Sequence, residues 1–547
     1  MEPPAGTRRL YRGGAVYSPA DPFATAMLVE GSTVAWVGPD EAASAWTREG
    51  DEVVDLEGRL VTPAFVDAHV HLTETGLRRT GLDLSAVRSR TELLDAVAAR
   101  ARPGELLAGF GWDESRWPAG DGVPTRAELD RAAGGAPVVL SRVDGHSALV
   151  TSALAEAAGL RGLAGWDEDG RVRTAAHHAA LDARWAALSP TAAQAARRAA
   201  LEAAAAAGIG TVHEMSGRWL APPGDLAALQ ALSRAEALPD VVGYLAERVE
   251  DPEQARAVLA GAAAGGAAVA GLGGDLVVDG ALGSRTAALR ADYADAPGER
   301  GSLHLDAAAV AGHLHACTRA GVQAAFHAIG DAALAVVVEA LEAVAADLGV
   351  PALASAGHRV EHAVLADADV VAAFARFGTS VSTQPAFDAH WGAPGGLYES
   401  RLGPQRRRGA HPFAALAAAG VPLALGSDTP VTPFAPWAAV RAAGFPPDEE
   451  RAVSVRAAFL AHTRGGHRLA GLGHPGVLRP GAPATYAVWD VADLVVQAPD
   501  RRLSGWSTDA RSGTPGLPDL GPGAPEPVCR RTVVDGVVVH DDLRGAR

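Results

Sequence analysis

From about residue 61 to residue 426 the chain alternates short apolar runs with long alanine-dominated segments, and this alternation limits its fold more than any other feature. A short apolar run suits a strand buried on both faces, and a dozen or more residues between two such runs suit a parallel crossover. Eight strand candidates follow, at residues 61–70, 209–213, 241–246, 276–279, 322–327, 359–362, 379–384 and 422–426. Eight such units predict an α/β fold, a TIM (β/α)8 barrel, whose chemistry sits where the strands end.

The stretch between the first two candidates, about 76–205, is too long for a plain connection. It predicts an insertion subdomain, which carries Phe110-Gly111-Trp112-Asp113-Glu114-Ser115-Arg116-Trp117. Strand-like texture at 8–17, 26–38 and 52–56 returns at 484–489, 494–497 and 531–540, with hairpin turns at Gly31-Ser32 and Asp535-Gly536. A small β-sandwich built from residues 1–57 and 470–547 is therefore expected around a barrel over 58–469. Residues 505–527, rich in Gly, Pro and Ser, are expected to be loop.

Composition excludes several functions. A net charge of −16 argues against binding a phosphate backbone. All 48 basic residues are arginines, so Schiff-base, phosphate-loop and metal-bridging lysines are absent together. Cys317 and Cys529 give neither a disulfide framework nor a zinc ribbon. Met1–Gly6 lacks the pattern of a secretory signal, and the Ala/Gly-rich stretches 199–210 and 261–274 lack the Leu, Ile and Phe of a membrane span. The expectation is a soluble cytoplasmic protein with no nucleic-acid or membrane partner.

The candidate strand ends are unusually polar. The first ends Asp67-Ala68-His69-Val70-His71, the fifth at His327, the sixth at His362, and the eighth runs into Asp428. His69 and His71, two apart on an extended strand, project from one face. Singly, His327 and His362 read as core or rim residues and Asp428 as a turn residue. At one end of one barrel, the four strand ends supply nitrogen and oxygen ligands for a divalent cation. His177 and His178 lie in an alanine-rich helical context, and His304, His313 and His315 read as solvated. His213-Glu214 reads as a candidate outer layer of the centre.

The run Val61-Thr62-Pro63-Ala64-Phe65-Val66-Asp67-Ala68-His69-Val70-His71-Leu72, with His327, His362 and Gly426-Ser427-Asp428, resembles the metal-dependent amidohydrolase superfamily. The segment Asp279-Gly280-Ala281-Leu282-Gly283-Ser284-Arg285-Thr286-Ala287-Ala288-Leu289 is similar to its amidohydrolase-3, YtcJ-like branch, which includes N-substituted formamide deformylases. So are Arg142-Val143-Asp144-Gly145-His146 and Phe326-His327-Ala328-Ile329-Gly330-Asp331.

The resemblance implies that His69, His71 and His327 bind metal, that His362 completes a second metal site or holds the attacking water, and that Asp428 binds metal and takes the water's proton. Many such relatives bridge two metals with a carboxylated lysine, and the matching position here is Asp275. The shorter aspartate favours one ion, most readily zinc, with Mn, Fe or Co as alternatives; Asp279, four residues on, is the other carboxylate on that stretch. Ala64 and Ala484-Thr485 depart from the usual Gly and Ala-Asp in ways that leave the centre intact. The implied reaction is hydrolysis of a carbon–nitrogen bond in a small amide or formamide, with catalytic Asp428 and His362. Arg285, His146, Trp112, Trp117 and Trp391 are candidates for contact with a small-molecule substrate. The rival readings are a deaminase acting on a cyclic nucleobase-like compound and an inactive homologue; a homo-oligomer is compatible with either.

Overall fold

A computed structural model describes residues 7–473, 476–496, 498–500, 505–507 and 514–543. The leader reading at Met1–Gly6, the strand end at Gln497 and residues 508–513 of the loop expected over 505–527 lie outside these residues; in the rest of that loop Gly505–Ser507 and Leu517–Pro518 are short paired strands. Eight parallel strands form one sheet, labelled here in chain order: β1 (Phe65–Val70), β2 (Ile209–Ser216), β3 (Asp240–Leu245), β4 (Val269–Leu272), β5 (Gln323–Ala328), β6 (Arg359–His362), β7 (Ser380–Thr383) and β8 (Leu423–Leu425). Each pairs with the next. The seam between β8 and β1 is joined beyond the strand ends. There the His71 amide donates to the Thr429 carbonyl at 2.9 Å and the Asp428 amide to that of His69 at 2.8 Å. This is a TIM-type barrel.

Two strand expectations are corrected. The run 61–70 is two strands, because Leu60–Pro63 pairs outside the barrel with Tyr486–Asp490 and only Phe65–Val70 enters it. The fourth barrel strand is Val269–Leu272, not 276–279. Its Ala/Gly-rich composition hid it, and Gly273 and Gly274 end it with φ of 114° and 81°. A Cβ on Gly273 would lie 1.8 Å from the Ala325 carbonyl oxygen, so only glycine lets the chain pass there.

Helices cover the barrel, and their apolar faces make its outer core. Ala307–Ala320, capped by the Asp306 side chain, and Asp331–Leu348 bury Leu314, Leu334, Val337 and Leu341 against Ala324, Phe326 and Val360. Helices Leu72–Thr80 and Pro190–Ala206 cross so closely that a Cβ on Gly76 would meet the Ala196 carbonyl oxygen.

Between those two helices stands a five-stranded sheet ordered Arg171–Arg173, Ser147–Val150, Val138–Arg142, Leu107–Trp112 and Leu82–Asp83. Helix Thr174–Ala187 covers the face of Val139 and Ala148, and helices Arg90–Arg100 and Arg126–Ala133 cover the face of Leu140 and Leu149. The chain ends meet in two facing sheets whose shared core holds Tyr11, Met27, Val34, Val61, Tyr486 and Val533. The Tyr486 and Tyr11 hydroxyls are hydrogen-bonded at 2.8 Å. Both hairpins form, the second turning at Asp535-Gly536 with φ of 46° and 81°. No helix among the described residues is long and apolar enough to cross a membrane.

Candidate metal centre

Six polar side chains converge at the C-terminal mouth of the barrel. β1 carries His69, with His71 directly after it, β5 carries His327, β6 ends at His362, and Asp428 follows β8. Asp275 reaches the same place because the segment after Gly274 runs along β5. There the Val278 amide donates to the His327 carbonyl at 2.9 Å and the His327 amide to that of Leu276 at 3.1 Å. His362 and Asp428 take left-handed backbone conformations, φ 70° and 54°, which non-glycine residues rarely hold without packing that enforces them.

Asp275 is the hub. Its Oδ2 lies 3.1 Å from His71 Nε2 and 3.5 Å from His69 Nε2, while its Oδ1 lies 3.3 Å from His327 Nδ1 and 3.8 Å from His362 Nε2. Asp428 Oδ1 is 3.2 Å from His71 Nε2 and 3.5 Å from His69 Nε2. Bonds of about 2.0–2.2 Å to a divalent ion place neighbouring ligand atoms about 2.9–3.5 Å apart. The four histidine–carboxylate distances among His69, His71, Asp275 and Asp428 fall in that range. Among the described residues, His69 Nε2, His362 Nε2 and Asp428 Oδ1 are buried with no hydrogen-bond partner, and the potential ligand groups are His69–His71–Asp428 and His69–Asp275–His362. The residues present fit a divalent cation.

The histidines are aimed by neighbours that the strand-end reading missed. Glu361 Oε2 is 2.9 Å from His69 Nδ1, and Arg359 grips Glu361 through both carboxylate oxygens and the Ala68 carbonyl oxygen at 2.8 Å. Gln384 Oε1 is 2.8 Å from His362 Nδ1, which places the ring proton there and turns the Nε2 lone pair to the centre. His327 works the other way round, with Nε2 3.3 Å from the Gly280 carbonyl oxygen and Nδ1 toward Asp275. Asp67 accepts the amides of Ser427 at 2.8 Å and His69 at 3.3 Å, tying the β8 exit to β1. The available signal was Arg359 and Glu361, two apart on a buried strand where charge is costly.

Burial lowers the proton affinity of His69, but Asp275 and Asp428 more than reverse this and hold it at about 10. Burial works against the charged form of Asp275, and His69 and His327 overcome it, so its carboxyl stays well below the usual range. Burial, with His327 beside it, pushes His146 down to about 3.

The amidohydrolase family model matches residues 52–540. The chain belongs to that family. It is 28% identical over 462 residues to the putative amidohydrolase YtcJ of Bacillus subtilis, covering 80% of this chain and 83% of the relative. A shorter match, 30% over 142 residues and about a quarter of each chain, is to N-substituted formamide deformylase of Arthrobacter pascens. Among solved structures, an uncharacterized metal-dependent hydrolase from Pyrococcus horikoshii superposes with a TM-score of 0.70 at 26% identity, covering 89% of this chain and 98% of that one.

In this amidohydrolase the centre opens into a cavity of about 760 Å³, roofed by the insertion. His146 lines it, 5.1 Å from His327 between ring centroids. The other candidates for substrate contact are placed differently. Trp112 is fully buried in the insertion core and donates to the Leu140 carbonyl, and Trp117 packs in that same core. Trp391 lines a smaller recess together with His146, His327, His362 and Asp428, with its indole N–H on Asp113. Arg285 lies outside the cavity lining and forks onto Asp295 at 2.9 and 3.1 Å.

Asp279 is not a ligand either, since its carboxylate accepts the amides of Ala288, Ile329 and Gly330. His313, read as solvated, is buried against Val249 and Leu272. His213 is held beside Arg359, whereas Glu214 accepts the Leu72 amide at 2.8 Å and so fixes the chain just after His71.

Proposed function

We propose that this amidohydrolase hydrolyses a carbon–nitrogen bond other than a peptide bond, in a small amide or formamide. The reading rests on one observation above all: Asp428 lines the cavity, buried, with Oδ1 lacking a hydrogen bond among the described residues and within 3.5 Å of both His69 and His71. One divalent ion, zinc in the first instance, held by His69, His71, Asp275 and Asp428, supplies Lewis acidity that acidifies water and polarises a carbonyl group at neutral pH.

The protein's own groups account for the proton traffic and the positioning. Asp428 takes a proton from the attacking water and delivers it to the leaving nitrogen, which departs as a neutral amine. His362 accepts a hydrogen bond through Nε2 and orients that water. His327, with Nε2 committed to Gly280, keeps Nδ1 on Asp275, and Glu361 holds His69 in the tautomer that turns Nε2 to the centre. The insertion roof limits solvent access to the reacting groups. The shorter match to a formamide deformylase supports formamides as the first substrates to try.

The test is product analysis on a panel of N-substituted formamides and acetamides after loading with Zn²⁺, Mn²⁺ or Co²⁺. The proposal expects an acid and a free amine in equal amounts. Ammonia released from an intact ring, with amides untouched, would replace it with deamination.

A further inference from the structure

The insertion delivers one side chain to the barrel mouth that the proposed reaction leaves unused. Its strands Val138–Arg142 and Ser147–Val150 pair antiparallel, and the turn between them carries Asp144, Gly145 and His146. Gly145 takes φ of 70°, and the Asp144 carboxylate accepts the His146 amide at 3.3 Å. Arg142 Nη1 donates to Asp144 at 2.8 Å, and so does the Ser284 hydroxyl, which belongs to the Gly-rich segment after the fourth barrel strand. The turn is thus tied to both the insertion and the barrel, and it holds His146 5.1 Å from His327 between ring centroids.

Five imidazoles form a chain of ring contacts across the mouth: His71 to His69 at 5.3 Å, His69 to His362 at 4.9 Å, His362 to His327 at 4.4 Å, and His327 to His146. Asp428 stands at the first end, within 3.5 Å of His71 and His69, and His146 stands at the other. The middle rings have no N–H to spare. His69 turns Nδ1 to Glu361, His362 turns Nδ1 to Gln384, and His327 turns Nε2 to the Gly280 carbonyl oxygen. His146 differs. Neither of its ring nitrogens has a hydrogen-bond partner among the described residues, and neither is sealed from solvent as Nε2 of His69 and of His362 is. The residue is partly exposed and lines both the main cavity and the smaller recess. An imidazole carries at least one N–H in either protonation state. Attack on a carbonyl carbon leaves negative charge on its oxygen, and a donor already in place stabilises that charge without reorganising.

We propose that His146 is a catalytic residue supplied by the insertion, donating its uncommitted ring N–H to the carbonyl oxygen of the scissile bond as water attacks from the Asp428 end. The effect on turnover rests on the amide-hydrolase reading; the grip of His146 on a tetrahedral oxyanion does not.

Two readouts on the metal-loaded protein test this. One is turnover of the formamide and acetamide panel; the other is calorimetry with methylphosphonate, a tetrahedral oxyanion that binds without reacting. His146→Ala should lower kcat about a hundredfold with KM within about threefold, because the contact is made mainly in the transition state. The same variant should bind methylphosphonate about tenfold more weakly and hold as much zinc per chain as the parent. His146→Asn and His146→Gln set an amide N–H near the place of Nδ1 or Nε2, and one of the two should recover at least about tenfold in kcat.

Where the parent turns over amides, a His146→Ala variant with either kcat or methylphosphonate affinity unmoved overturns the contact and leaves the hydrolase reading standing. Zinc lost along with both readouts also overturns it, since His146 would then support the centre rather than touch the substrate. A parent that hydrolyses no amide yet binds methylphosphonate through His146 keeps the contact and rejects the hydrolase reading. A parent that does neither overturns both.

Discussion

Glu361 Oε2 lies 2.9 Å from His69 Nδ1, with both side chains fully buried. A carboxylate on the far nitrogen of a ligating imidazole fixes its tautomer and raises its basicity, and losing such a partner typically costs about 10–100-fold in metal affinity. Glu361→Gln is expected to weaken zinc binding by about that factor in a competitive chelator titration. Unchanged affinity would remove Glu361 from the centre. Glu361→Ala is a different experiment: it leaves the Arg359 guanidinium buried without its carboxylate, a loss on the order of 3–5 kcal/mol in stability.

Asp428 is assigned the proton transfer. Asp428→Asn keeps the size of the side chain and removes its basicity, so kcat should fall by about 10²–10⁴-fold. The ratio of Asn to Asp turnover, measured at saturating substrate and metal, checks this. A fall of less than about tenfold would move the general base elsewhere.

Metal uptake should release protons. In the metal-free protein His69 holds its proton up to about pH 10, because Asp275 and Asp428 outweigh burial, and only the neutral imidazole binds metal. Titrating zinc into the metal-free protein at pH 7 in a weak buffer should acidify the solution, with affinity rising as pH rises. The stability sign follows from the same shift. A histidine whose folded value exceeds its unfolded value of about 6.5 stabilises fully below that pH and loses the contribution as pH climbs to about 10. The melting temperature of the metal-free protein should therefore carry a falling component across this window that Asp275→Asn reduces. An identical pH dependence in the variant would contradict the assignment.

Trp112 tests packing against recognition. Its ring is fully buried in the insertion core, so Trp112→Ala should cost about 3–5 kcal/mol in denaturant unfolding of that region. Arg285→Ala, outside the cavity lining, should leave KM within about twofold. The opposite pattern, a stable Trp112→Ala protein with a large rise in KM, would return the tryptophan to the substrate site.

The strand ends could be read because their chemistry is local. His69 and His71 share a face through the two-residue repeat of a strand, and His327, His362 and Asp428 each close an apolar run. What escaped depended on contacts distant in sequence. The register of β4 was hidden because Val269–Leu272 is as Ala- and Gly-rich as the helix before it, and the Gly273-Gly274 turn moved the apolar 276–279 out of the expected barrel-strand position and onto β5. That same turn delivers Asp275 to four histidines, which spacing alone does not reveal. Tryptophans in an insertion look alike in sequence whether they pack or bind. The pairing of Arg285 with Asp295 decides its role, and nothing in its own Gly-rich segment announces the partner.

Elemental analysis of the purified protein beside its His69→Ala/His71→Ala variant tests the central claim most directly. The account predicts about one divalent ion per chain in the parent and none retained in the variant, with both chains still folded. Equal metal in the two, or a parent that takes up no ion when zinc is supplied, would contradict it.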